Sequence, residues 1–495
     1  MRRVIGSRSG MLLPTPGTST ALALLLLAAG CSRGSETHAA ARPAGPARRV
    51  ILVTCDTLRA DRLGCYGGAR PASPRIDELA RESLLFLNAW SAAPLTVPSL
   101  SGLLAGRPPD EIGVAARTNG WHMPESVLTL AEVARAAGFE TAAIVSSSML
   151  TRPPPELGDV GVPQGFDFYD DELRANEANR NLHERTAADC TSAVLRWLAG
   201  RPDDADRFLL WVHYQDPHGP YTAPEEDRLP FERDHSGEAE LPLGSTPTGA
   251  GQIPDYQALA GLRRPGEYID RYDAEIHHFD AELGRMLDGL RARGWLDDAL
   301  LVLVADHGES LGENGWWFCH GETLQPELLR VPLLVRPPRT LRGGLLPESG
   351  GRRVAEPVCY LDVWPTVLEV LGIAPIENGG VSLLAPVRTE ARCVSQSLGS
   401  VQFGRRWLSI TDGRWRLLLP DPEAPRLYDM LADPAEQHDL AAARPDIVQA
   451  LRRGHLEFLA QHARPALAGI RRESDDGSLR ALRGLGYTLG DVDEH

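Results

Sequence analysis

Three short apolar runs, each handing over to a reactive polar residue, limit what this chain can become. VILVTC (50–55) precedes Asp56, FLLWV (208–212) precedes His213, and LLVLVA (300–305) precedes Asp306-His307. Runs this short and apolar at every position read as strands buried on both faces. Helical patterns separate them. LTLAEVARAAGFETAAIVS (128–146) gives a helix, a stop at Gly138 and a further strand, and the helical pattern over 268–291 ends at Gly294. VPLLVR (331–336) adds another strand and residues 362–371 another helix. Strands alternating with helices predict an α/β chain built on a large, mostly parallel sheet flanked by helices.

From about residue 390 the pattern changes. RRWLSITDGRWRLLLP alternates around Asp412-Gly413, which predicts a hairpin in a small C-terminal antiparallel sheet. The expected units are therefore 49–390 and 391–495. Residues 219–268, rich in Pro, Gly and Glu, read as an irregular excursion beside His218.

The N-terminus reads as an address. Arg2, Arg3 and Arg8 precede ALALLLLAA, too short to span a bilayer, and then Gly30-Cys31. LLAAGC resembles a bacterial lipobox, so residues 1–31 are expected to end at a lipidated Cys31; an ordinary cleaved signal peptide is the alternative. Residues 32–48 then form a flexible tether. The expected location is the cell envelope, facing the periplasm or on the outer membrane, held through a lipid anchor on Cys31. Export permits disulfides, but the other six cysteines, at 55, 65, 190, 319, 359 and 393, follow no metal or disulfide spacing.

A formal net charge of −16 argues against a nucleic-acid partner. The chain contains no lysine, so any catalytic cation must be arginine, histidine or a metal ion. In open parallel sheets, ligands bind at the carboxyl ends of the strands. Singly, Asp56, His213, His218, Asp306 and His307 could be caps or core histidines. Acidic and histidine ends converging on one edge would repel one another unless a divalent cation lay between them. Two aspartates and a histidine suit Ca²⁺, Mg²⁺, Mn²⁺ or Zn²⁺ without choosing among them.

CDTLRADRLGCYG, APLTVPSLSGLLAG, HYQDPHGPY, ADHGESLGENG with His320-Gly321, RLYDMLADPAEQHDLA and the closing LRGLGYTLGD resemble, in order, the motifs of sulfatase-family enzymes of the alkaline phosphatase superfamily. The resemblance implies a large α/β catalytic domain with a small C-terminal sheet and one divalent metal ion, Ca²⁺ by family. It implies Asp56, Asp306 and His307 as metal ligands and Thr96 as the nucleophile, itself bound to the metal. By the same resemblance Arg107 helps hold the substrate's anionic group, and His218 and His320 contact the transferred group or the leaving oxygen.

Thr96 departs from the family pattern. Pro98 starts a short buried helix that stops at Gly106, which would make Thr96 no more than a helix cap. In most sulfatases this position is Cys or Ser, opens a C/S-x-P-S-R motif and is oxidised to formylglycine. Here the motif is Thr96-Val97-Pro98-Ser99-Leu100. Oxidising threonine would give a ketone, and the arginine is absent, so formylglycine does not fit. A metal-bound threonine hydroxyl at a helix N-terminus can attack directly, as in phosphoryl-transferring members of the superfamily.

The leading expectation is a metal-dependent hydrolase of anionic esters, with sulfated or phosphorylated small molecules, glycans or lipids as substrates. The family points to sulfate esters and the threonine to phosphate or phosphonate esters. A phosphoethanolamine-type transferase and a non-catalytic glycan-binding pseudo-enzyme are the alternatives. The first usually carries several membrane helices; the second should have lost its cation site. His277-His278 and Trp316-Trp317 read as packing or surface features, and Arg59 and Asp61 as supports for the Asp56 loop.

Overall fold

The computed structural model describes residues 47–114, 121–153, 161–176, 182–202, 207–385, 393–400, 405–421, 423–462 and 470–471. Cys31, the signal peptide, nearly all of the tether and LRGLGYTLGD lie outside the described residues.

The apolar runs form the strands expected of them. In chain order the large sheet contains β1 (Arg49–Cys55), β2 (Leu84–Trp90), β3 (Glu140–Ile144), β4 (Phe168–Asp170), β5 (Phe208–Tyr214), β6 (Ala299–Ala305), β7 (Arg330–Arg336), β8 (Arg352–Val354) and β9 (Val358–Cys359). Their spatial order is β8-β2-β7-β6-β1-β5-β3-β4, with β9 also on β2. The three strands with reactive ends, β6, β1 and β5, are thus adjacent at the centre. Every residue of these three is buried. That is why they read as continuous apolar runs rather than as alternating ones.

One strand runs against the rest: β7 is antiparallel to both β6 and β2. An apolar run buried on both faces carries no mark of its direction, so VPLLVR announced a strand but not its sense. LLFLNAW (84–90), which becomes β2, was not anticipated at all.

Helices flank the sheet: α1 (Thr96–Ala105), α2 (Leu130–Ala136), α3 (Ala187–Ala199), α4 (Pro265–Ala292) and α5 (Val363–Leu371). α1 packs on α5, which touches β1, while α3 packs on β5 and α4. Gly106 ends α1 with φ of 60°, and a Cβ there would sit 2.7 Å from the Trp364 ring of α5. Glycine is therefore required both by conformation and by close approach.

The small sheet is antiparallel in chain order: β10 (Cys393–Ser400), β11 (Arg405–Thr411), β12 (Trp415–Asp421) and β13 (Arg426–Asp429). Its hairpin turns at Asp412-Gly413, where the Asp412 carboxylate accepts the Trp415 N–H at 2.7 Å. One face packs on α6 (Pro445–His462) through Ile410, Leu417, Leu427, Val448 and Leu451. Leu418 and Tyr428 belong to a second cluster, with Trp90 and Leu329 of the large unit. Among the described residues no helix is long and apolar enough to cross a membrane, and the six described cysteines are free.

Candidate active site

Register decides where the site forms. Cys55 pairs with Tyr214 on one side and Ala305 on the other, so β1 and its neighbours end level. The ladder runs one residue further: Asp56 N–H donates to Tyr214 O at 3.0 Å and Asp306 N–H to Cys55 O at 3.1 Å. Asp56 and Asp306 therefore stand abreast on neighbouring strands, whose backbones lie about 4.8 Å apart across the ladder.

The loop leaving β1 is strained in a useful way. Thr57, a β-branched residue, has φ of 56°, a conformation that persists only where neighbours hold it. Its N–H donates to Asp306 Oδ1 at 3.2 Å, and its carbonyl accepts the Tyr272 hydroxyl at 2.6 Å. Arg59 then forks onto Asp61 and also reaches Glu313 and the Glu309 carbonyl. This is the supporting role expected of Arg59 and Asp61.

Asp56, Asp306 and His307 offer ligand atoms all within 4.8 Å of one another, and all three residues are buried. His307 Nδ1 faces its neighbour's carbonyl, Gly308 O, at 3.0 Å. That contact assigns the proton to Nδ1 and leaves a lone pair on Nε2. Nε2 lies 3.6 Å from both Asp56 Oδ1 and Asp306 Oδ2. Burial holds His307 down to about 4 although Asp306 opposes it, so no proton fills the gap at neutral pH. Asp306 Oδ2 meets no hydrogen-bond donor among the described residues, and burial raises that carboxyl above its usual range. Three ligand atoms within 4.8 Å of one another, two of them 3.6 Å from His307 Nε2, suit a cation.

His213 adjoins this group. Its Nδ1 is 2.9 Å from Thr54 Oγ1, which Trp211 Nε1 also donates to, and its Nε2 is 3.9 Å from Asp56 Oδ2. Burial and His307 hold it down to about 3, so it is a neutral wall of the cavity.

Thr96 is the first residue of α1 rather than its cap; that position is Leu95, which contributes no side-chain hydrogen bond. The Thr96 hydroxyl instead lies 3.3 Å from Asp56 Oδ2 and 3.4 Å from His307 Nε2. Ser99, one turn on, donates to the Asp306 carbonyl at 2.6 Å and so fixes the helix end over the strand ends. The helix thus aims its positive end at the carboxylates. Leu100 faces the core and is fully buried.

His320 and His218 continue the line. The His320 ring lies 4.5 Å from that of His307 and 5.1 Å from that of His218. His218 in turn faces Tyr256 of the excursion at 6.4 Å, and the Tyr256 hydroxyl donates to the carbonyl of Phe318, whose φ is 48°. The excursion is irregular as expected, but it also braces both histidine-bearing segments.

Arg107 is the residue expected to help hold the substrate's anionic group. It stands just beyond the far end of α1, about 15 Å from Thr96 at 1.5 Å per residue. Its guanidinium lies 3.3 Å from Glu111 Oε2 and 3.4 Å from Glu111 O. The sequence places it eleven residues after Thr96, but a ten-residue helix converts that spacing into distance.

Ser99, Tyr272 and Glu309 were not singled out from the sequence. Ser99 had a signal, since a residue three after Thr96 lies on the same helix face; Tyr272, buried in α4, had none.

A family model described as Sulfatase matches residues 48–373. The choline-sulfatase of Rhizobium meliloti (strain 1021) is 26% identical over 423 residues, 74% of this chain and 77% of that protein. The human iduronate 2-sulfatase is 26% identical over 403 residues, 72% of this chain and 71% of that protein. Among solved structures, the phosphonate monoester hydrolase of Agrobacterium radiobacter superposes with a TM-score of 0.67 at 20% identity, covering 87% of this chain and all of that one. With the family model spanning the large sheet and every strand end that carries the site, the chain belongs to the sulfatase family of hydrolases.

Proposed function

We propose that this protein hydrolyses anionic esters by direct attack of the Thr96 hydroxyl, and that phosphonate monoesters and phosphate diesters react faster than sulfate esters. The observation that carries this is the place of Thr96 Oγ1, within 3.4 Å of both Asp56 and His307 and not capping its helix. Sulfatase relatives and a phosphonate monoester hydrolase of the same fold support the substrate class.

A divalent cation held by Asp56, Asp306, His307 and the Thr96 hydroxyl would ease ionisation of that hydroxyl and offset charge on the non-bridging oxygens. Ca²⁺ is the family's ion, and the donor set also admits Mn²⁺, Mg²⁺ or Zn²⁺. The remaining work falls to the chain. The Thr96 hydroxyl proton passes to Asp56 as Oγ1 bonds to phosphorus and the bond to the leaving group breaks. The leaving oxygen keeps the electron pair and takes a proton from His320 or His218. Water then attacks phosphorus: its proton restores the histidine, and Thr96 Oγ1 leaves with the proton returned from Asp56. Formylglycine can expel sulfate by elimination from its second hydroxyl; threonine lacks that route and must be displaced at sulfur, which is slow.

The test is turnover of bis(p-nitrophenyl) phosphate, p-nitrophenyl phenylphosphonate and p-nitrophenyl sulfate by the Ca²⁺- or Mn²⁺-loaded protein. Thr96→Ala should lose about a thousandfold or more, while Thr96→Ser keeps substantial activity. Sulfate as the best substrate by a wide margin overturns the threonine inference. An active Thr96→Ala overturns the nucleophile. Substrate binding without turnover of any ester favours a pseudo-enzyme.

We also infer that the protein is exported and anchored through Cys31, on the strength of LLAAGC and the apolar run before it. Membrane fractionation with intact-mass analysis tests this: an unmodified soluble mature chain refutes it, and Cys31→Ser should abolish acylation.

A further inference from the structure

Glu309 is wholly buried beneath His320, an expensive place for a carboxyl group unless both oxygens find donors. They do. Oε1 lies 3.2 Å from His320 Nδ1, and Oε2 accepts the Tyr221 hydroxyl at 3.2 Å. Tyr221 is itself fully buried, edge-on to Tyr272 at 5.4 Å and to Phe318 at 6.3 Å. Tyr272 is the residue whose hydroxyl holds the strained Thr57 carbonyl. The Glu309 backbone is fixed as well, its carbonyl accepting Arg59 Nη1 at 2.9 Å. The carboxylate thus hangs from a rigid tier of tyrosines and arginine that also supports the Asp56 loop.

This geometry has a directional consequence for His320. With Nδ1 committed to Glu309, Nε2 is the nitrogen turned away from that tier, on a ring that packs against His307. We propose that Glu309, braced by Tyr221, is a positioning residue for ester hydrolysis: it sets the ring plane of His320 so that Nε2 meets the leaving oxygen. The proposal rests on the reading above in which His320 serves that oxygen. An imidazole free to turn would spend much of its time misaligned, and a misplacement of about 1 Å can cost a hundredfold in rate. The effect should grow with the difficulty of expelling the leaving group, because a good one departs without help.

The experiment compares wild type with Glu309→Ala, Glu309→Gln, Tyr221→Phe and His320→Ala on two phosphate diesters, one releasing p-nitrophenol and one releasing phenol. Bound metal is measured in every variant. Glu309→Ala should lose kcat about ten- to a hundredfold more on the phenol ester than on the nitrophenol ester, with KM changed much less than kcat. Glu309→Gln, whose amide oxygen still accepts from Nδ1–H, should recover at least about tenfold of that loss. Tyr221→Phe keeps the ring and should show a milder form of the same selectivity. Equal loss on both esters, no rescue by glutamine, or loss of bound metal overturns the positioning role. If His320→Ala is unselective between the two esters, the underlying role of His320 fails instead. If His320→Ala is selective and Glu309→Ala is not, only the present inference fails. No turnover of either ester by wild type overturns both.

Discussion

The Ser99 hydroxyl donates to the carbonyl oxygen of Asp306 at 2.6 Å, joining the helix that begins at Thr96 to the strand end that carries Asp306 and His307. Ser91 donates to the same carbonyl, its Oγ lying 2.9 Å from that of Ser99. The end of the helix that carries Thr96 is therefore tied to Asp306 by a hydrogen bond from its own first turn.

Ser99→Ala should cost about 1–2 kcal/mol of stability, since a buried carbonyl loses one of its two donors. The rate should fall further than the stability suggests, by about tenfold in kcat, because the helix end loses its fix on the strand. Denaturant unfolding and turnover on the same preparation check both; an unchanged kcat would show that Ser99 serves stability alone.

Asp306→Ala should lose the bound cation by elemental analysis and lose turnover by about a thousandfold or more, while its circular dichroism stays native. Chelation of wild type should lower its melting temperature, as expected when a ligand bound only by the folded state is withdrawn. In the chelated state Asp306→Asn should melt no lower than wild type, because the buried carboxylate is then a liability. Equal metal content in Asp306→Ala and wild type would refute the site.

We propose that Arg107 lies off the substrate, so Arg107→Gln should leave kcat and KM within about twofold of wild type while lowering stability, because it unpairs the largely buried Glu111. An arginine that held the transferred group would instead cost several kcal/mol of transition-state stabilisation. A large rise in KM would restore Arg107 to the site.

His235 gives the excursion a pH dependence. Its two nitrogens lie 2.8 Å from Glu238 Oε1 and 2.8 Å from Asp270 Oδ2, and Glu238 also accepts the Gly266 N–H at 2.7 Å. Burial opposes the charge, but the bonds to Asp270 and Glu238 outweigh it and lift the imidazole above its ordinary 6.5. Its contribution is complete below pH 6.5 and fades as pH rises through the higher folded value. Melting temperatures taken upward from pH 6 should fall in wild type and lose this component in His235→Gln; parallel curves would exclude it.

The central strands, their order of reactive ends and the hairpin at Asp412-Gly413 were legible because burial and turn chemistry are local constraints. VILVTC and LLVLVA could be strands only if covered on both faces, and Asp-Gly meets the turn's backbone demands wherever it occurs. The sense of β7 was not legible, because a doubly buried strand is equally apolar read either way. Arg107 shows the limit of counting along the chain: eleven residues mean contact in a tight loop but about 15 Å along a helix.

For the site, the sequence by itself determined which chemical groups were available. Its two aspartates, its histidines and a threonine where most sulfatases carry Cys or Ser define a set of candidate donors. Tertiary structure alone decided how they meet. The level register of Cys55 with Ala305 and Tyr214 puts Asp56 and Asp306 side by side. Tyr221 and Glu309, 88 residues apart, come together under His320 through folding of segments that share no local pattern. Composition and periodicity report the surroundings each residue needs, whereas a hydrogen bond across the fold depends on where two independently packed segments come to rest.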